Sequence, residues 1–257
     1  MLEHSFVLLD GIGPRREDTI WRAGVMDWDE FMRRKSIPRI SPARKRSMDD
    51  RLEQARDRLS EGDSGYFARC LPPREHWRCL DEFDSSTIYL DIETTGVSRR
   101  DDITVVGIFD GTRTHALIRG VNLDHTSLDS ILSKASTIVT FNGAGFDLPM
   151  IETHFPGVIP AVPHIDLRHL LRRLGHCGGL KAIERELGIE RDRRVEYMTG
   201  EDAVYLWRAW RRKGNRNALD LLLEYNSEDC ENLGKLSRYA YKKMRRGFER
   251  AMVAAKD

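Results

Sequence analysis

The chain has 257 residues, of which 40% are hydrophobic, enough to bury the core of one main domain with room for a smaller module. Its 42 basic and 41 acidic residues leave a formal net charge of +1, which excludes a globally basic nucleic-acid binder and an acidic disordered chain. The cysteines at 70, 79, 177 and 230 form no CxxC pair, which favours reduced thiols over disulfides or structural zinc. No run of eighteen apolar residues occurs, and the short apolar run at the N-terminus follows no basic segment. We therefore expect a soluble cytoplasmic protein with no membrane partner.

Residues 1–32 predict a small helical module. Gly11 and Gly13 frame a tight turn before Pro14, a residue that suits the first turn of a helix, and Asp27 is expected to cap a second helix. This arrangement resembles a helix-hairpin-helix element. The resemblance implies that backbone N–H groups of the turn contact a nucleic-acid phosphate. The alternative is a helix–helix turn that only packs apolar side chains together.

Residues 33–83 are predicted to contain a basic linker and a surface helix. The segment RRKSIPRISPARKR, from Arg33 to Arg46, has seven basic residues, two prolines and no acid, so we expect an extended surface connector. Such a segment either adds phosphate contacts or is simply solvated. Ser47 is expected to cap the surface helix, which continues to about Asp63.

Residues 84–257 are predicted to form a mixed α/β domain. The runs TIYLDIETTG, ITVVGIFDG and TRTHALIRG predict three consecutive antiparallel strands, and Asp110-Gly111 predicts the hairpin between the second and third. Helical and strand patterns then alternate up to a long amphipathic helix that begins near Asn217. Three antiparallel strands followed by α/β units are the order expected of a ribonuclease H-like domain, although periodicity alone establishes only a mixed α/β domain.

Two acids interrupt the first predicted strand, in the segment IYLDIETTG. Successive side chains of a strand point to opposite faces, so Asp91 and Glu93 share one face while Leu90 and Ile92 enter the core. Two carboxylates this close repel each other unless a cation neutralises them. Hard divalent ions such as Mg²⁺ or Mn²⁺ prefer oxygen ligands, so the pair predicts a metal site. The alternative is two strand-end acids that face solvent.

Two later segments carry further acids. In TIVTFNGAGFDLPMI an apolar strand breaks at Asn142, and Asp147 falls in the first turn of the next helix, near the strand's C-terminal edge. In LLLEYNSEDCENL, Tyr225 and Asp229 are four residues apart and share one face of a helix. Each of these two features alone is common on helices that have no catalytic role.

Together the three segments resemble the three exonuclease motifs of the DEDD (DnaQ-like) superfamily in order, spacing and local context. The motifs are DxE on the first strand, FNGxxFD at a strand-to-helix turn and YxxxD on a late helix. Five residues before the final Asp the chain has Glu224 rather than His, so it resembles the tyrosine branch, DEDDy. A closer resemblance, over most of the chain, is to the YprB-type ribonuclease H-like family of predicted exonucleases. That resemblance is carried by GGLKAIERELGI, TGEDAVYLWRAW and NALDLLLEYNSEDCENL.

These resemblances imply a 3′→5′ exonuclease that uses two Mg²⁺ or Mn²⁺ ions. By the same resemblance, Asp91 bridges both ions, Glu93 and Asp229 complete the site that activates water, and Asp147 holds the second ion. Tyr225 is expected to orient that water, because a phenol with an ordinary pKa of about 10 is a poor general base near neutral pH.

The implied partner is nucleic acid, as a single strand or a 3′ end, with single-stranded DNA favoured and RNA possible. Residues beside the motifs are the candidates for contact with the terminal nucleotide: Thr94, Thr95, Asn142 and, by stacking, Phe146. Lys181 is a candidate phosphate contact.

Two competing functions are a ribonuclease H-type endonuclease and a catalytically weak nucleic-acid-binding module. The tyrosine motif argues against the first, and the presence of all four acids argues against the second. A strand-end pair, His164 and Asp166, is expected to be structural rather than catalytic. No motif indicates the oligomeric state.

Overall fold

The computed structural model describes residues 1–255 of the chain, which divide into two compact units. The unit called here the helical unit contains residues 1–85, 161–164 and 241–255. The unit called the sheet unit contains residues 86–160 and 165–240. The division predicted from the sequence, with boundaries after residues 32 and 83, stays a prediction. Among residues 1–255, none of the helices is both long enough and apolar enough to cross a lipid bilayer.

The helical unit begins with four α-helices, which pack around buried aromatic and aliphatic side chains such as Phe6, Trp28 and Phe67. The four helices are α1 (Pro14–Arg22), α2 (Trp28–Arg33), α3 (Pro42–Ser60) and α4 (Ser64–Cys70). Pro14 occupies the first turn of α1, and the Asp27 carboxylate caps α2 by accepting a hydrogen bond from the backbone N–H of Glu30. Both predictions are therefore confirmed.

The predicted start of the surface helix is wrong. α3 begins at Pro42, so the last third of the expected extended connector is helical, and the cap is Ser41 rather than Ser47. The Ser41 hydroxyl accepts a hydrogen bond from the backbone N–H of Arg44. The physical reason is the Ser-Pro pair, because serine caps a helix while proline supplies a first residue that needs no N–H partner. The basic charge of the segment does not prevent this start.

The sheet unit is built on a five-stranded mixed sheet in the order β3-β2-β1-β4-β5. Its strands are β1 (Thr87–Thr94), β2 (Ile103–Phe109), β3 (Thr114–Ile118), β4 (Thr137–Thr140) and β5 (His164–Asp166). β2 is antiparallel to both β1 and β3, whereas β4 runs parallel to β1. Asp110 and Gly111 form the turn between β2 and β3, where Gly111 has a φ of +92°. The predicted ribonuclease H-like sheet, three antiparallel strands followed by α/β units, is confirmed.

Six helices follow the antiparallel strands of the sheet unit. They are α5 (His125–Leu132), α6 (Asp147–His154), α7 (Leu167–Arg173), α8 (Leu180–Glu186), α9 (Gly200–Lys213) and α10 (Arg216–Ala254). A buried cluster joins β2, α9 and α10 through Val105, Ala203, Trp207, Leu222 and Tyr225. This packing fixes α9 and α10 against the strand that neighbours β1. Side chains from both helices are therefore held near the acids of β1.

Candidate active site

The acids of β1 lie where the strand alternation predicts. Leu90 is 1% exposed and Ile92 is 6% exposed, so both enter the core. The intervening side chains, Asp91 and Glu93, share the other face of the strand. In the antiparallel register Asp91 lies opposite Gly107 of β2. The strand therefore presents two carboxylates at one place on the sheet.

α10 brings a third carboxylate to this pair. Asp229 is buried on the helix, and Asp91, Glu93 and Asp229 each offer an oxygen within 4.8 Å of the others. Tyr225 lies one turn earlier on the same face of α10 and is 7% exposed. The structure therefore brings together three of the four predicted acids and the predicted tyrosine.

Asp147 lies beside this cluster but outside the three-acid group. It is the first residue of α6, and its carboxylate accepts a hydrogen bond from the backbone N–H of Ile92, with an N···O distance of 3.2 Å. Ile92 separates Asp91 from Glu93, so the carboxylate of Asp147 lies against the strand that carries both acids. One cavity is lined by Asp147 together with the three grouped acids.

The turn that leads into α6 is held by Asp166, which the sequence predicted to be structural. Its carboxylate accepts hydrogen bonds from the backbone N–H groups of Asn142 and Ala144, at 2.8 and 3.2 Å. Asn142 has a φ of +67°, a conformation that few non-glycine residues adopt. A Cβ at Gly143 would overlap the side chain of Thr140. Asp166 and the small residue at 143 therefore fix the turn from which α6 places Asp147.

Burial raises the pKa of the four predicted acids of the site. Burial, followed by the charges of Asp229 and Asp147, raises the pKa of both Asp91 and Glu93 well above the ordinary range. Burial is also the largest cause for Asp147, whose pKa rises to about 7, and for Asp229. Four carboxylates in a buried space are costly unless cations neutralise them.

Arg191, which the sequence did not single out, brings a positive charge to the site and is paired with Glu184. The guanidinium of Arg191 donates two hydrogen bonds to the carboxylate of Glu184, at 2.6 and 2.7 Å, and also contacts Asp229. The side chains of Arg191 and Glu184 are 3% and 1% exposed, so this ion pair is buried. Glu184 and Arg191 both lie in the segment GLKAIERELGIER. An arginine that follows a helix gives no sequence signal of its contact with Asp229, 38 residues later.

Asn226 also contacts an acid of the site, and the sequence did not predict this contact. Its side-chain amide donates a hydrogen bond of 2.9 Å to the carboxylate of Asp91. The amide oxygen lies against Gly107, where a Cβ would overlap it and would also lie 2.8 Å from the Cys230 sulfur. The only sequence signal was the polar residue directly after Tyr225, on a helix that docks on the sheet.

Tyr225 is held among the acids and a lysine. Burial, followed by the negative charges of Asp229, Glu93 and Asp91, raises its pKa far above the ordinary value. The ammonium of Lys181 lies 4.3 Å from the centre of the Tyr225 ring and donates a hydrogen bond to the carbonyl of Met198. The hydroxyl of Tyr225 therefore stays protonated at neutral pH.

The acids open into a cavity of about 730 Å³. Three of the predicted nucleotide contacts, Thr94, Asn142 and Phe146, also line it. Thr95 and Lys181 do not: the hydroxyl of Thr95 accepts a hydrogen bond from the backbone N–H of Asp102, and Lys181 lines a neighbouring pocket. Other lining residues come from the loop after β1 and from the start of α9: Gly96, Val97, Thr199, Gly200, Glu201 and Val204.

The remaining predicted contacts, Gly11 and Gly13, lie in the helical unit. Gly11 has a φ of +73°, and its carbonyl accepts a hydrogen bond from the Arg16 guanidinium at 2.6 Å. Gly13 is the residue before α1, whose start has no side-chain cap. Gly11 therefore lies in the predicted turn with a positive φ, whereas Gly13 is extended, and their contact with phosphate stays a prediction.

The site fits a divalent metal by the chemistry of its donors. The three grouped side chains and Asp147 all offer carboxylate oxygens, the ligands that Mg²⁺ and Mn²⁺ prefer. The raised pKa values indicate an excess of negative charge that a cation would neutralise. The cavity leaves room for a phosphate group beside these oxygens.

Comparison with known families decides the fold assignment. The family model of the RNase_H superfamily matches residues 88–241, which include the whole site. The chain belongs to the RNase_H superfamily. The match begins within β1 and ends in α10, so its limits lie close to the first and last residues of the sheet unit.

Solved structures with a similar fold include three nucleases. A nuclease in its apo form is 20% identical, with a TM-score of 0.47 and coverage of 69% of this chain and 83% of that chain. The EXO domain of Aedes aegypti Nibbler is 12% identical, with a TM-score of 0.47 and coverage of 71% and 91%. Escherichia coli RNase D, an exoribonuclease involved in structured RNA processing, is 17% identical, with a TM-score of 0.42 and coverage of 72% and 48%. No curated protein matches this sequence.

Proposed function

We propose that this chain is a divalent-metal-dependent 3′→5′ exonuclease of the DEDDy, YprB-like type, which hydrolyses phosphodiester bonds of nucleic acid. The observation that carries the proposal is the convergence of Asp91, Glu93 and Asp229 beneath an open cavity, with Tyr225 on the same helix face as Asp229. Membership of the RNase_H superfamily supports a nuclease. The order of the motifs supports an exonuclease of the tyrosine branch.

Asp91, Glu93, Asp147 and Asp229 would hold two Mg²⁺ or Mn²⁺ ions. The bound ions would supply a stronger nucleophile from water and neutralise charge that develops on the leaving oxygen. By the resemblance to the DEDD superfamily, Asp91 would contribute to both ion positions. Burial of Glu93, Asp147 and Asp229 restricts the movement of those three carboxylates.

Tyr225 would orient the attacking water rather than deprotonate it. Its pKa is raised well above 10, so the phenol keeps its proton at neutral pH and can donate a hydrogen bond to a water or a phosphate oxygen. Glu93 would accept a hydrogen bond from the terminal 3′-OH. That contact would select a strand end rather than an internal bond.

The proposed substrate is a single strand, with DNA favoured and RNA also accepted. Phe146 is partly exposed in the cavity and can stack on the terminal base, while Thr94 and Asn142 offer polar atoms beside it. Lys181 would act through Tyr225, since its ammonium packs on that ring. Contacts of Gly11 and Gly13 with phosphate remain part of the proposal.

The decisive experiment uses 5′-labelled single-stranded DNA and RNA with Mg²⁺, Mn²⁺ or a chelator. The wild-type chain should give a ladder of shortened 5′-labelled products that requires metal. Asp91→Ala and Asp229→Ala should abolish the ladder, whereas Asp129→Ala, an exposed acid of α5, should not. Activity that survives either of the first two substitutions overturns the proposal. Products from internal cuts alone would support a ribonuclease H-type endonuclease, and binding without cleavage would support a catalytically weak binding module.

A further inference from the structure

The outward face of α9 carries an exposed stripe of large side chains. Glu201, Tyr205, Arg208 and Arg212 are spaced by four, three and four residues, so they follow one face of the helix. All four are exposed, and Tyr205 is 71% exposed. From Glu201 to Arg212 the helix makes eleven rises of one residue each, so the stripe is about 16 Å long.

The packing of α9 does not require this stripe. Ala203 and Trp207 on the opposite face are buried in the cluster that also holds Tyr225. The guanidinium of Arg211 lies over the rings of Trp207 and Trp210, at 5.8 and 5.7 Å, so this arginine has a structural partner. By contrast, neither Arg208 nor Arg212 forms an ion pair with another residue in the described range 1–255.

The stripe begins at the wall of the active-site cavity. Thr199, Gly200, Glu201 and Val204 line that cavity, so the first turn of α9 belongs to it. Tyr205 lies one turn after Glu201, and helical side chains lean toward the N-terminus, which brings its ring back toward the cavity. Tyr197, which precedes the cavity-lining residue Thr199 by two positions, is 76% exposed.

We propose that the stripe on α9 is the path of a single nucleic-acid strand whose 3′ end enters the cavity, an inference that rests on the proposed exonuclease function. Tyr205 would stack on an unpaired base, and Arg208 and Arg212 would contact successive phosphates. The occupant is a single strand because paired bases in a duplex are stacked on one another and offer no free face to a tyrosine ring. The two arginines supply the positive charge that a phosphate backbone requires.

Binding of fluorescent dT20 and dT3 tests the path in full-length chains that carry Asp91→Asn, which stops cleavage. Tyr205→Ala should weaken dT20 binding about tenfold, and Tyr205→Trp should restore it, because an aromatic ring of either kind stacks. Replacing Arg208 and Arg212 together by alanine should lower the salt dependence of binding, by about 0.7 in log–log slope for each arginine. The effects should shrink for dT3, which is too short to follow the stripe.

Lys134→Ala is the matched control. Lys134 is exposed and precedes the start of β4, whereas the turn that leads into α6 follows the other end of that strand. The proposal is overturned if the Tyr205→Ala chain and the double-arginine chain bind dT20 as the Lys134→Ala chain does. It is also overturned if a blunt duplex binds as tightly as dT20 and responds equally to the same substitutions.

Cleavage by the otherwise wild-type chain separates this inference from the proposed function. The ratio of kcat/KM for dT20 to that for dT3 should fall about tenfold in Tyr205→Ala, since only the longer strand reaches the ring. If the wild-type chain shortens neither oligonucleotide with any metal, the proposed function fails, while the binding data still decide whether the stripe holds a strand. An unchanged ratio overturns the path while leaving the nuclease intact.

Discussion

At the scale of single residues, Asp91 depends on a partner from another element. The amide of Asn226 donates to its carboxylate at 2.9 Å and is 1% exposed, so no water replaces it easily. Asn226→Ala should lower nuclease activity by about 10- to 100-fold and weaken the apparent affinity for Mn²⁺, as loss of a hydrogen bond to a metal ligand usually does. Metal titrations of cleavage rate measure both effects.

Asn232→Ala provides the control for that substitution. Asn232 is also buried on α10, but its side-chain oxygen accepts a hydrogen bond from Lys235, and within residues 1–255 it forms no hydrogen bond with an acid of the site. It should keep the metal dependence of the wild-type chain. Equal metal dependence in the Asn226→Ala and Asn232→Ala chains would contradict the assigned role of Asn226.

Arg191 links Asp229 to the buried carboxylate of Glu184. Arg191→Ala should destabilise the protein by about 3–5 kcal/mol, because Glu184 would remain buried without its partner. Replacing both residues by leucine should restore part of that stability, since Glu184 is then no longer buried without a partner, although Asp229 still loses its contact with Arg191. Chemical denaturation measures the two free energies of unfolding.

Nuclease activity in the double variant separates orientation from stability. If Arg191 orients Asp229, the double-leucine chain should remain at least about tenfold less active although it is folded. Wild-type activity in a stable double variant would show that the contact with Asp229 has no catalytic consequence.

Some of the residues in the site were predictable from the sequence, and others were not. Asp91 and Glu93 were predictable because a strand repeats every two residues and therefore aims both at one place. Asn226 contacts Asp91 across 135 residues of sequence, and no local pattern encodes such a pair. The phosphate contact of Lys181 stays a prediction from its charge, whereas the packing of its ammonium on the ring of Tyr225 had no signal in the sequence.

At the scale of elements, the approach of α10 to β2 depends on one glycine. A Cβ at Gly107 would overlap Asn226 and crowd the sulfur of Cys230. Gly107→Ala should therefore destabilise the protein by about 1–3 kcal/mol through overpacking, and should reduce activity by moving α10 away from β1. Thermal unfolding and cleavage assays measure the two effects.

Gly247→Ala, within α10 itself, is the opposite case. Among residues 1–255, no side chain or distant backbone lies within 4 Å of a Cβ at position 247. The substitution should be neutral or stabilise the protein by up to about 1 kcal/mol, because alanine favours the helix more than glycine does. If both alanine substitutions had the same effect on stability, close packing at Gly107 would not explain it.

Whether a segment is a helix or a strand was predicted from the sequence more reliably than the residue at which it begins. β1 to β3 were predictable from β-branched runs and from Asp110-Gly111, which form local patterns. The start of α3 was not, because seven basic residues suggested a solvated connector and outweighed the Ser41-Pro42 pair. Helix caps are decided by one or two residues, so composition over a longer window gives the wrong start.

At the scale of the whole molecule, a net charge of +1 conceals strong local separation of charge. Five carboxylates line one cavity, and two arginines that form no ion pair among residues 1–255 lie on the helix beside it. Composition alone could not reveal this pattern, because the acids come from segments more than fifty residues apart. Burying those charges lowers the free energy of unfolding. A bound metal ion that neutralises them should raise it, so metal binding and stability are linked.

This linkage predicts how stability depends on pH. The pKa of Asp147 rises from an ordinary 3.8 to about 7 on folding, and those of Asp91 and Glu93 also rise. Between pH 4 and 7 the folded chain therefore binds more protons than the unfolded chain, so its stability falls as pH rises, by up to about 1.4 kcal/mol per pH unit for each group. In chelator, the melting temperature should decrease from pH 5 to pH 8.

Divalent metal should reverse most of that loss. Mn²⁺ competes with protons for the same carboxylates, so it should raise the melting temperature more at pH 8 than at pH 5. Asp91→Asn removes one buried charge, and it should both stabilise the metal-free chain at pH 8 and reduce its response to Mn²⁺. Thermal unfolding across this pH range measures all three effects. A melting temperature in chelator that is independent of pH would mean that the folded site does not hold its carboxylates as close together as the structure places them.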